Sequence, residues 1–315
     1  MNTIDGKIPQ RDAFGKALVA LGATMPELVV FDADVSSSTK TGLFGAAYPE
    51  RFFNMGVAET GMVGTAAGMA TRGLRPVVST FALFLSLKTA EQVFNCVCHN
   101  ELPVVLAGGY AGLSDSYDGG SHQAVSDLAV MRSLPGMTVL APCGAEDVEG
   151  SLRHALSLPG PCYLRLGRNP MPEPERNVFT TAIDCLRPGD AVTLVASGIT
   201  VGLALEAAER LSADGLSAEV LCVRQIKPLD EAALKTSARK TGAVVVIEEH
   251  SVIGGLGGAV CETLADCAGV RTRLLGIHDA IGESGDYPGL LARHGITAEA
   301  IIATASDLNT TRSKA

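Results

Sequence analysis

The sequence predicts an α/β protein built from two doubly wound domains. Three observations carry that prediction. Short β-branched apolar runs alternate with longer stretches of small and apolar residues at helical spacing. The 35 glycines among 315 residues, with no tryptophan, supply many tight strand-to-helix turns. A proline-bearing stretch, residues 169–187 with Pro188 just beyond, interrupts the alternation, which then restarts. The expected organisation is a first domain over residues 1–168, a linker over 169–188 and a smaller second domain over 189–315.

The elements follow in order. A helix is expected over 11–21 and a strand over 28–32. A strand over 51–55 then hands over at Gly56 to a helix over 59–72. That helix repeats small and apolar residues at Met62, Ala66 and Met69 and at Val63, Ala67 and Ala70, and Gly73 closes it. Further along, a strand (75–79), a helix (86–99) and a strand (103–107) precede a glycine-rich segment over 108–123. A helix (125–132), a strand (137–141), a helix (145–156) and a strand (161–165) complete the first domain. In the second, strands over 191–196, 217–223 and 243–247 alternate with helices over 200–211 and 231–240, and a glycine loop leads into a helix ending near Cys267.

Composition narrows the classes of function. A net charge of −9 argues against a nucleic-acid or anionic-membrane partner. No apolar run approaches the roughly 18 residues of a membrane span, and the first ten residues do not read as a secretion signal, so a soluble cytoplasmic protein is expected. The eight cysteines are scattered with no CxxC pair, as reduced core residues are. Cys96, Cys98 and His99 resemble a ligand cluster, but i and i+2 point apart on one helix, so no metal site is expected.

In an open α/β sheet, ligands bind beyond the C-terminal ends of the strands. The loops there carry Asp34 and Ser38, then Glu59, then Phe81 and Phe84, then Asp118 and His122. Glu59 has two readings. In the first turn of a helix an acid interacts favourably with the helix dipole. In apolar surroundings a carboxyl is also well placed to bond a ring nitrogen of a ligand. His122 is open between loop structure and proton transfer, Asp118 between a turn and a ligand contact, and Phe81 and Phe84 between core packing and a stacking platform. Arg168 reads equally as a solvated charge. No GxSxG elbow and no GxxxxGK[ST] loop occurs. EEHSVIGGLGG, residues 248–258, has Val260 where the third glycine of a dinucleotide turn would stand, and reads as close helix-to-strand packing.

Taken together, DADVSSS, RFFNMGVAETGMVGTAAGMATRG, STFALF, DGGSHQAVSDLAVMRSLPGMTVLAP, PCYLRLGR, VLCVRQIKPLD and EEHSVIGGLGG resemble the C-terminal half of transketolase, most closely the separate C-terminal subunit of split bacterial enzymes. The resemblance implies a pyrimidine-binding domain followed by a transketolase C-terminal domain, and a thiamine-diphosphate-dependent transferase of two-carbon ketol units in carbohydrate metabolism. It implies that Glu59 bonds N1′ of the aminopyrimidine, promoting loss of the C2 proton, that Phe84, with Phe81 beside it, stacks on the ring, and that Asp34 lies near it. His122 and Asp118 match substrate-contacting positions, His122 with a catalytic part, while Arg11, Ser38 and Arg168 match positions holding a sugar-phosphate tail. Tyr110, in GYAG, replaces a histidine that meets substrate phosphate, and Lys88 stands where relatives often carry Arg.

The family holds diphosphate and Mg²⁺ through a GDG motif, which this sequence lacks. An N-terminal partner subunit carrying that motif is therefore expected, in an α₂β₂ heterotetramer or around a homodimer of this chain. The alternatives are the beta subunit of a 2-oxo-acid dehydrogenase, a carboligase resembling deoxyxylulose-phosphate synthase, in which Arg stands at the position of Phe84, and a non-catalytic regulatory paralogue.

Overall fold

A computed structural model describes residues 8–170 and 181–312. It contains β1 (Leu28–Asp32), β2 (Phe52–Asn54), β3 (Arg75–Phe81), β4 (Val105–Gly109), β5 (Thr138–Leu140), β6 (Cys162–Arg165), β7 (Ile183–Arg187), β8 (Val192–Ala196), β9 (Ala218–Val223), β10 (Gln225–Lys227), β11 (Ala243–Ser251) and β12 (Arg271–Ile277). Seven strands form one sheet in the order β10-β5-β6-β4-β3-β1-β2, and five form a second in the order β12-β11-β8-β9-β7.

In the first sheet β2, β1, β3, β4, β6 and β5 run parallel, so their C-terminal ends share one edge. Strand residues alternate between two faces, and the packing follows that period. Leu28 and Val30 join Val77 and Val105 under Phe14, Leu18 and Leu21 of the helix Gln10–Gly22. Val29 and Phe31 join Val78 and Leu106 on the other face, under Met62, Val63 and Ala66 of the helix Glu59–Ala70. The latter core continues into the second domain through Leu221, Val223, Val244 and Val246, so the two sheets share one apolar interior.

Several features depart from the sequence expectation. Of the linker drawn over 169–188, residues 171–180 lie outside the described residues, whereas Ile183–Arg187 are an edge strand antiparallel to β9. Proline content marked a break and hid a short strand whose Ile183 is buried. β10 crosses from the second domain to the first sheet, pairing antiparallel with β5. β12 and the helices Tyr287–Arg293 and Ala298–Arg312 lie beyond the last expected element. The helix expected over 86–99 begins at residue 82 and is interrupted by two wide i→i+5 segments, Phe84–Lys88 and Val93–Cys98.

Buried charge seals the junction. Arg165 donates to both oxygens of Asp127, at 2.8 and 3.1 Å, and to the Glu249 carbonyl at 3.0 Å. Tyr163 donates to Asp127 at 2.7 Å. Arg224, fully buried, pairs with Asp147 at 2.9 Å and with Asp184. The glycine loop of the second domain wraps a protein carboxylate: Glu248 accepts from the backbone N–H groups of Leu256 and Gly257 at 2.7 and 2.9 Å, and a Cβ on Gly255 would meet its Oε2 at 2.1 Å. The loop is close helix-to-strand packing, as the displaced third glycine suggested.

Burial pushes Glu249 from its ordinary value of 4.5 up to about 7. The folded chain therefore holds a proton there that the unfolded chain has released between those two pH values, and stability falls as pH rises through that window. Glu249→Gln keeps an oxygen for the Leu113 N–H and removes the ionisation. The melting-temperature advantage of this variant over wild type is expected to grow as pH is raised from about 5 to about 8, and a constant difference across that range would overturn the assignment.

Candidate active site

The strand order reverses between β1 and β3: β1 leads outward to β2, and the chain then crosses back over β1 to reach β3. In doubly wound sheets the ligand crevice opens at such a point, beyond the strand C-termini. The loops leaving β1, β2, β3, β4 and β6 bring Asp34, Glu59, Phe84, Tyr110 and Arg168 to that edge from across 135 positions of sequence, 34 to 168.

Glu59 opens its helix after Gly56, whose φ of +68° suits glycine. Its side chain is 3% exposed and accepts from Lys88 Nζ at 2.5 Å. Phe84 and Lys88 begin and end one wide helical segment, and an i→i+5 turn returns Lys88 towards the side that Phe84 occupies.

The aromatic groups form one cluster. The Phe81 ring lies 4.5 Å from Tyr110 and 6.2 Å from Phe84, and the His122 ring stands edge-on 5.3 Å from Phe84. Such offset and edge-on arrangements suit aromatic quadrupoles. Tyr110, 5% exposed, has a φ of +58°, a strained conformation for a bulky residue, and its neighbours hold it there. Arg11 donates to its hydroxyl, and the Arg168 guanidinium carbon lies 5.0 Å from its ring centroid. Two cations thus converge on one aromatic residue, a surface suited to an anionic tail. His122 meets Ser121 Oγ through Nδ1 at 2.9 Å.

Sequence reasoning missed Asp115. Fully buried, it accepts from Arg168 at 3.2 Å, while its Oδ2 has no hydrogen-bond partner among the described residues. Burial, then the neighbouring charge of Asp118, pushes it up to about 6. An acid inside the small-residue run GLSDS was the available signal. Asp118 itself is exposed. Asp34, also left-handed at φ +65°, accepts from Asn54 at 2.8 Å, and Ser38 lies in the short helix Ser36–Thr39, its N–H donating to the Val35 carbonyl at 2.8 Å. Both stand at the same sheet edge, beyond β1, and neither is part of the aromatic cluster. A cavity of about 420 Å³ lies elsewhere, between Arg132, Lys227 and Lys235 and the acids Glu231, Glu262 and Asp266. Arg132 bonds Glu262 and Lys235 bonds Glu231 and Asp266, so these charges largely satisfy one another.

The loop carrying Tyr110 to His122 is anchored from the second domain. Leu113 N–H donates to Glu249 Oε1 at 2.7 Å, Gly285 N–H to the Ser116 carbonyl at 3.0 Å, and Gln123 Nε2 to the Glu283 carbonyl at 2.8 Å.

A parallel sheet with a buried carboxyl at a helix start and an aromatic cluster at the same strand-end edge places the chain in the doubly wound α/β class, whose ligands bind at that edge. The chain belongs to the transketolase family: residues 6–173 match the transketolase pyrimidine binding domain and residues 182–301 the transketolase C-terminal domain. It is 40% identical over 298 residues to a putative transketolase C-terminal section of Methanocaldococcus jannaschii, covering 92% of this chain and 93% of that one. It is 38% identical over 301 residues to the 6-deoxy-6-sulfo-D-fructose transketolase subunit SqwH of a Clostridium species, covering 95% and 94%. A 1-deoxy-D-xylulose-5-phosphate synthase of Geobacter sulfurreducens is 39% identical over 297 residues, 92% of this chain but 46% of that protein. Among solved structures, one described as a split gene transketolase, inactive beta4 tetramer, shares 44% identity with a TM-score of 0.88, covering 97% of this chain and 99% of that one. Among the described residues no helix is long and apolar enough to cross a membrane.

Gly112 has a φ of +65°, and a Cβ there would fall 2.4 Å from Glu249 Cδ. Gly112→Ala is expected to cost on the order of 2 kcal/mol in denaturant unfolding. A loss below about 0.5 kcal/mol, the ordinary range for a surface substitution, would show that Glu249 does not hold this loop.

Proposed function

We propose that this chain is the C-terminal subunit of a thiamine-diphosphate-dependent transketolase, transferring a two-carbon ketol unit from a ketose phosphate to an aldose acceptor. The observation that carries the reading is Glu59, a carboxyl 3% exposed at the crevice edge of the first sheet, with the Phe84 ring on the neighbouring segment. This donor set fits an aminopyrimidine, which offers a ring nitrogen to an acid and an apolar face to an aromatic ring. When bound, thiamine diphosphate supplies the electron sink for cleaving the bond beside a ketone. In this reading Glu59 holds a proton at N1′, Phe84 and Phe81 orient the ring, and Asp34 lines the pyrimidine side. His122 and Asp118 contact the sugar, and Arg11, Ser38 and Arg168 with Tyr110 hold its anionic end.

Two observations support a shared active site. The sequence carries no GDG motif, and in this reading an N-terminal partner subunit holds the diphosphate and Mg²⁺, in an α₂β₂ assembly. Exposed apolar side chains also flank the crevice residues: Val57, two positions before Glu59, is 72% exposed, and Leu87, beside Lys88, is 51% exposed. Separately encoded relatives are consistent with this division. The Arg11–Tyr110–Arg168 cluster offers cationic and hydroxyl groups to a phosphate, close to doubly charged at neutral pH, or to a singly charged sulfonate. A deoxyxylulose-phosphate-synthase-like carboligation is the second reading, favoured by that relative's identity and disfavoured by Phe84.

With the partner subunit present, Glu59→Ala is expected to lose at least about 10²-fold in ketol transfer; full retention would sink the assignment. Tyr110→His is expected to reorder a panel of ketose phosphates and sulfonates in kcat/KM while leaving cofactor affinity unchanged. An unaltered ranking would remove Tyr110 from substrate recognition.

A further inference from the structure

The cluster of Arg11, Tyr110 and Arg168, on the reading above the seat of the substrate's anionic tail, contains a third charge. Asp115 is fully buried, and its Oδ1 accepts from Arg168 Nη1 at 3.2 Å, whereas the Arg168 side chain is 34% exposed. A guanidinium has five N–H donors, so this bond offsets the charge of Arg168 while leaving donors for a ligand. The second oxygen of Asp115, Oδ2, is buried and has no hydrogen-bond partner among the described residues. No hydroxyl or amide disperses the charge there, and Arg168 is its counter-ion. Burial, then the neighbouring charge of Asp118, pushes Asp115 up to about 6, which leaves it ionised in mildly alkaline solution. Arg11 bonds the Tyr110 hydroxyl, and among the described residues no carboxylate lies within ion-pair distance of it. Two guanidinium charges and one carboxylate charge therefore leave the cluster with a single net positive charge.

We propose that Asp115 is a specificity-determining residue that sets the charge of the tail this crevice accepts, disfavouring a doubly charged tail relative to a singly charged one. The field of a fixed carboxylate acts on every unit of tail charge. Its cost is absent for an uncharged tail, present once for a sulfonate and nearly doubled for a phosphate, which is close to doubly charged in mildly alkaline solution. Across the width of a guanidinium, at the dielectric of a protein surface, the effect is on the order of tenfold in affinity per charge. A carboxylate that only held Arg168 in place would act in the opposite direction, because its loss would weaken the grip on every charged tail.

The test uses the complex of this chain with its GDG-bearing partner, loaded with Mg²⁺ and thiamine diphosphate, at about pH 8, where a phosphate tail carries nearly its full charge. Three ketose donors differ only at the tail, which is a hydroxyl, a sulfonate or a phosphate. Asp115→Asn keeps the shape and an oxygen for Arg168 and removes the charge. Relative to the hydroxyl donor in the same preparation, this variant is expected to gain about tenfold in kcat/KM with the sulfonate and on the order of 10²-fold with the phosphate, the gain residing in KM. Each ratio is internal to one preparation, so a partial loss of folded protein does not move it. An equal factor for all three donors, or a loss by the charged donors, overturns the role of Asp115. Where turnover of the variant is too slow to assay, calorimetric binding of the same three sugars gives the same ratios, and unchanged ratios again overturn it. Absence of ketol transfer from all three donors in the wild-type complex overturns the function proposed above, and the binding ratios then still decide the role of Asp115.

Discussion

Arg165 ends β6 with its guanidinium buried, bonded to both oxygens of Asp127, to the Ala124 carbonyl and to the Glu249 carbonyl. These partners come from the helix and loop after the glycine-rich segment and from β11 of the second domain. One planar, permanently charged donor thus fixes three chain segments at once, which a lysine could not do. Removing it would strand a buried Asp127, a change of the several-kcal/mol class. The loop from Tyr110 to His122 is held by Glu249 and residues 283–285 of the second domain, and Arg165 fixes the segment that follows it through the Ala124 carbonyl and Asp127. The crevice therefore depends on the interdomain junction as much as on its own sheet.

The sheet contributes direction. Because β1, β2, β3, β4 and β6 are parallel, every loop after them opens at the same edge, and residues far apart in sequence meet without a long loop bringing them together. At that edge the charges are uneven. Glu59 is paired with Lys88, Asp115 with Arg168, and Arg11 with the Tyr110 hydroxyl. Phe84 and Lys88, four positions apart on one helical segment, bring an aromatic face and an ammonium from one short stretch.

Most of the first domain was legible in the sequence because its strands are continuous apolar runs and its helices carry small residues at a clear period. Glu59, Phe84 and His122 stood out because polar or aromatic groups sat at strand ends. The misses share a cause. β7, β10 and β12 are short or partly exposed strands whose pairing comes from partners far along the chain, and β10 is recruited by the edge of a sheet in the other domain. Asp115 looked like an ordinary loop acid, since burial cannot be read from neighbours in sequence.

The sequence by itself determined the two α/β layers, the alternation of strand and helix, the glycine turn that launches Glu59 and the family to which the chain belongs. These are local or pattern properties, written in spacing and residue type. Only the tertiary structure decided that Lys88 closes on Glu59, that two arginines converge on Tyr110, and that a carboxyl of the second domain anchors the loop of the first. Those are long-range electrostatic contacts, and their energies depend on burial and distance, quantities that exist only once the chain has folded.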